Sequence, residues 1–65
     1  MQRRKIISIG EFALSEAALL ALQEKKGTDF IHIPSLDMDD PDLISVVDDL
    51  DARAARNCEL IVVDV

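Results

Sequence analysis

The sequence predicts an α/β domain in the chain order strand, helix, strand, helix, strand, with the three strands parallel. Three observations predict it. Short runs rich in β-branched residues recur along the chain: Lys5-Ile6-Ile7-Ser8-Ile9-Gly10, Phe30-Ile31-His32-Ile33 and Leu60-Ile61-Val62-Val63-Asp64-Val65. Two segments of helical periodicity separate them. Parallel strands need such crossovers, and these are right-handed almost without exception.

In the first run, Ile6, Ile7 and Ile9 place apolar side chains on both faces, as in a parallel strand covered on two sides. Gly10 ends it. The first helix spans Leu14 to Lys26 and is rich in Ala and Leu. Ser15 is the expected N-cap, with Leu14 and Leu19 as its hydrophobic staple; a start at Phe12 is the alternative. Lys25 and Lys26 suit the negative end of the helix dipole, and Gly27 is the expected left-handed stop. Leu14, Ala17, Ala18, Ala21 and Leu22 share one stripe. Leu20 falls outside it and has no place in a monomer's core.

Thr28-Asp29 turns the chain into the second strand, with Phe30 and His32 on one face and Ile31 and Ile33 on the other. Pro34 stops it, and an acidic loop runs from Ser35 to Asp40. Asp40 is the expected N-cap of the second helix, with Pro41 in its first position and Asp42 in its first turn. Leu43, Val47, Leu50 and Ala54 recur at helical spacing, widened by Ile44 and Val46. Asp49 and Arg53 stand four apart, and Asn57 closes the helix. The third strand follows. There is no internal repeat and no linker, so residues 1–65 read as a single domain.

Sixty-five residues bury only about 60% of the unfolded surface, which leaves a lone core marginal. Cys58 is the only cysteine, so no internal disulfide forms; with His32, the only histidine, it cannot complete a tetrahedral zinc site. Oligomerisation or docking on a partner is the remedy left. The net charge is −6, which disfavours nucleic acid. Arg3-Arg4-Lys5 reads as a solvated flank. No apolar run approaches membrane-spanning length, and Gly10-Glu11 interrupts any signal-like segment. A cytoplasmic protein that touches neither nucleic acid nor membrane is expected.

Two helices cannot cover both faces of three apolar strands. Some of Ile7, Ile9, Ile31, Ile33, Ile61 and Val63, or their opposite-face neighbours, must meet something else. Ligand sites in parallel sheets lie at the carboxyl ends of the strands. That rim would carry Gly10, Glu11, Pro34, Ser35, Asp37 and Asp64. Glu11 and Asp64 are the weak metal candidates, since paired carboxylates at such an edge can hold magnesium; acids that merely solvate strand ends explain them as well.

Lys5 to Glu11, Leu19 to Gly27 and Glu59 to Val65 together resemble the first half of a response-regulator receiver domain. The resemblance implies strand order two-one-three, with Asp64 at the phospho-acceptor position and Glu11 in the acid pair. Gly10 stands where the second acid belongs, and the acidic stretch Leu36 to Asp42 lengthens the middle. These 65 residues hold no counterpart of the family's switch Ser/Thr or its lysine. A terminal carboxylate after Val65 would add negative charge beside Asp64. No stable phosphorylation is therefore expected.

Asp37, Asp39 and Asp48 fall at positions one, three and twelve of a calcium loop, but Asp42 replaces the glycine that loop needs. A helix-capping turn explains the same residues. His32 has no partner defined by sequence, and Cys58 reads as a small buried hydrophobe rather than a nucleophile. No Gly-rich phosphate loop is present.

The expectation is a small acidic, non-catalytic protein-interaction or regulatory module, without cofactor or metal, that self-associates as a dimer. Leu20 and the acids Asp37, Asp39, Asp40 and Asp42 are its expected interaction residues. Two alternatives stand beside it. One is a minimal phospho-receiver using Asp64 and Glu11. The other is an acidic inhibitor or decoy offering Asp37, Asp39, Asp40, Asp42, Asp48, Asp49 and Asp51 to a basic site.

Overall fold

Two strands form the sheet, and they are antiparallel. In the computed structural model, which describes residues 3–64, β1 (Arg4–Ile9) pairs with β2 (Glu59–Asp64) from Arg4 opposite Asp64 to Ile9 opposite Glu59. Between them lie α1 (Glu16–Lys26) and α2 (Pro41–Leu50). The expected three-stranded parallel sheet in order two-one-three is not formed.

The missing strand is Phe30–Ile33, and its backbone shows why. Thr28 Oγ1 accepts the Phe30 N–H at 3.3 Å and donates to the Phe30 carbonyl at 3.2 Å. The carbonyls of His32 and Ile33 accept the N–H groups of Ser35 and Leu36, closing a 3₁₀ turn over Ile33–Ser35. Pro34 in that turn has no N–H to offer. Groups that a strand would give to a neighbour are thus used locally, and Phe30 is left 72% exposed.

Without a middle strand, direction follows from the helices. One helix carries the chain away from the end of β1, and the second carries it back. β2 therefore starts beside Ile9, where β1 ended, and must run antiparallel.

The ends of α1 follow local chemistry. Ser15 is the N-cap, its Oγ accepting the Ala18 N–H at 3.2 Å. Leu14, expected inside the helix, instead pairs with Ala55 in a short antiparallel bridge and is buried. Gly27 adopts φ 67°, and the N–H groups of Gly27 and Thr28 bond the carbonyls of Glu24 and Gln23. This is the Schellman stop that glycine makes without a Cβ penalty.

Asp40 caps α2 as expected, its Oδ1 accepting the Asp42 N–H at 2.9 Å, with Pro41 in first position. The helix does not run on to Asn57. It ends at Leu50, because Asp51 takes φ 55° and ψ −125°, and a 3₁₀ turn over Asp51–Ala54 follows. The helical spacing of Asp49 and Arg53 is broken there. Asn57 still turns the chain, at φ 59°, just before β2.

The core joins Ile6 of β1, Leu14, Ala18 and Leu22 around α1, Leu43, Ile44, Val46 and Val47 of α2, and Ala54. Leu60 and Val62 of β2 pack against it. Both helices lie on this one side of the sheet. α2 meets the strands, and α1 packs on α2 and the 51–54 turn. Among the described residues, no helix is long and apolar enough to cross a membrane.

Candidate functional site

Side chains alternate across a strand, so one face of the sheet points away from the core. Ile6, Leu60 and Val62 face the helices. The outward rows are Lys5 opposite Val63, Ile7 opposite Ile61, and Ile9 opposite Glu59. Ile7, Ile9 and Ile61 are 43%, 53% and 42% exposed. None of the three belongs to the core or packs against it. Counting helices against apolar strand faces anticipates a bare face; the pairing register decides that these three isoleucines form it.

The basic start of the chain does not lie free. Arg4 holds Asp48 of α2 through two contacts, at 2.8 and 2.9 Å, and Arg3 holds Asp39 at 3.0 Å. An open groove of about 540 Å³ runs along these residues, past Pro41, Ile44, Ser45 and Asp49. Arg3 with Asp39 and Arg4 with Asp48 neutralise one another in pairs, and among the described residues Asp49 is the one lining charge outside those pairs. The signal in the sequence was the opposite sign of residues 3–4 and the acids of the middle segment, but the pairing itself needs the fold.

Lys26 Nζ sits 2.7 Å from Asp40 and 3.5 Å from Asp42, tying the end of α1 to the start of α2. Burial works against charge on Asp40, yet the Lys26 ammonium and the Asp42 N–H outweigh it and hold the carboxyl below the usual aspartate range. The hydrogen bond to Asp40 raises the Lys26 ammonium in turn. Of the expected acidic interaction residues, Asp39, Asp40 and Asp42 are therefore engaged within the chain. Asp37 is exposed, without an ion pair among the described residues.

Leu20 is 58% exposed on the helical side, apart from the bare sheet face. Glu11 and Asp64 are not brought together. Asp64 lies across from Arg4 at one end of the sheet, and Glu11 follows β1 at the other. At about 3.4 Å per residue they stand on the order of 20 Å apart. Among the described residues, no three His, Cys, Asp or Glu side chains gather as metal ligands. His32 lies in the loop, its ring stacked on Phe30 and its Nδ1 2.6 Å from Ser35 Oγ. Cys58 is half-buried, donating to the Ala13 carbonyl at 3.5 Å.

Comparison with protein-family models, curated proteins and solved structures finds no match for this chain.

Proposed function

We propose that this protein is a non-catalytic interaction module that works by binding protein, a second copy of itself included. One observation carries the reading: a contiguous apolar face, Ile7, Ile9 and Ile61, lies on a sheet whose other face is packed. Apolar surface left in water forfeits roughly 25 cal/mol per Å², and a domain of this size has little stability in reserve. Single exposed apolar side chains such as Leu20 or Phe30 are ordinary; a shared face is the feature that favours a partner.

The decoy reading gains no support from the acidic segment. Of its seven acids, Asp39, Asp40, Asp42 and Asp48 are turned toward Arg3, Arg4 and Lys26 of their own chain, which leaves only the scattered Asp37, Asp49 and Asp51 exposed without an ion pair among the described residues. A basic target would have to displace those cations first.

Light scattering across a dilution series tests the reading. The chain weighs 7.2 kDa. Twice that mass is expected at high concentration, with thermal stability falling on dilution. A monomer at every concentration that keeps its full melting temperature would sink it.

A further inference from the structure

We infer that the second copy lies face to face on the outward side of the sheet, related by a twofold axis across the strands. This assignment rests on the proposed self-association and names its surface.

The charges of the face select both the occupant and the orientation. Six residues make it up: Lys5, Ile7, Ile9, Glu59, Ile61 and Val63. One is a cation and one an anion, so the face is neutral on a chain of net charge −6. The carboxylates of Asp40, Asp42 and Asp48 bind their cations around the start and the exposed side of α2, and Asp39 is neutralised by Arg3 at the edge of β1, beside Lys5. Two copies can thus approach through this face without like charges meeting, whereas a strongly charged partner finds no handle on it.

The two charges stand at opposite corners. Lys5 belongs to the first row with Val63, Glu59 to the last with Ile9, and the Ile7–Ile61 row lies between. Turning a copy about an axis across the strands exchanges the two ends. Each Lys5 then comes to the end that holds the partner's Glu59, and symmetry makes the contact twice. Ile7 and Ile61 meet their own copies at the centre, and the sheets stack at about 10 Å. A twofold axis along the strands would instead bring the two Glu59 side chains to the same end. The face of two short strands is smaller than the roughly 800 Å² per partner of a standard interface, so the complex is expected in the micromolar range.

Charge exchange tests this. Lys5→Glu alone and Glu59→Lys alone should each weaken association roughly tenfold, as expected for two inverted rim contacts. The double variant Lys5→Glu/Glu59→Lys keeps the net charge and should restore the parent dissociation constant. Mixing the two single variants should yield a heterodimer tighter than either alone. Ile61→Lys should give a monomer that retains the parent's far-UV circular dichroism, while Leu20→Glu should leave association unchanged. A parent that dimerises while Ile61→Lys and Lys5→Glu dimerise equally well overturns this surface and leaves self-association standing. Dissociation by Leu20→Glu does the same. A parent that is monomeric throughout overturns both.

Discussion

Ser15 Oγ donates to the Arg53 carbonyl at 2.6 Å while accepting the Ala18 N–H at 3.2 Å. One hydroxyl therefore caps α1 and clamps it to the turn that follows α2. Backbone bonds flank it, from Ser15 N–H to the Ala54 carbonyl and from Arg56 N–H to the Ala13 carbonyl. Ser15→Ala should cost about 1–2 kcal/mol in urea melts, the upper part of the range for a lost N-cap. Aspartate is as good a cap as serine in general, but it cannot donate to Arg53. Ser15→Asp should therefore fail to restore stability where Ser15→Thr succeeds. Equal melts for the Asp variant and the parent would show that the clamp contributes nothing.

Asp40 makes stability depend on pH at the acidic end. Its folded carboxyl lies below the usual range, with Lys26 and the Asp42 N–H overcoming the effect of burial. The folded state therefore favours the carboxylate more than the unfolded chain does. That stabilisation is complete above the unfolded value of about 3.9 and is lost as pH falls through the lower folded value. Asp40→Asn keeps a capping oxygen but no charge. The parent should melt higher at pH 7, and the gap should close below about pH 4. A gap that stays constant from pH 7 to pH 2 would mean that the Lys26 pair adds no stability. The raised Lys26 acts at the other extreme: its contribution is present below the unfolded lysine value and is lost as pH rises through the higher folded one.

Asp51 ends α2 in a backbone conformation, φ 55° and ψ −125°, that glycine adopts freely and other residues do not. Asp51→Gly should raise stability by roughly 1 kcal/mol, because relief of local strain of about 1–3 kcal/mol exceeds the extra entropy of an unfolded glycine. Asp51→Ala should not, since alanine keeps the Cβ. Thermal melts of the two variants side by side give the answer, and a glycine variant less stable than alanine would refute it.

The sequence by itself determined what neighbours within a few residues decide. Ser15, Gly27 and the pair Asp40-Pro41 act on backbone groups one to four positions away, so the cap positions of α1 and the start of α2 were legible as chemistry. The apolar character of Ile6, Ile7 and Ile9, and of Leu60 to Val63, was enough to place two strands. The count of helices against strand faces pointed to bare apolar surface, but it included a third strand that does not form, and Ile31 and Ile33 pack against the core instead. The fate of Phe30–Ile33 was not legible. Four apolar residues look alike in a strand and in a turn, and the deciding groups were the Thr28 hydroxyl and the local carbonyl bonds. Nor does a sequence carry the direction of a pairing between residues as far apart as Ile7 and Ile61. Only the tertiary structure decided that. With both helices docked on one side of the sheet, the chain returns to the end it left, the strands run antiparallel, and their register leaves three isoleucines facing out between a lysine and a glutamate.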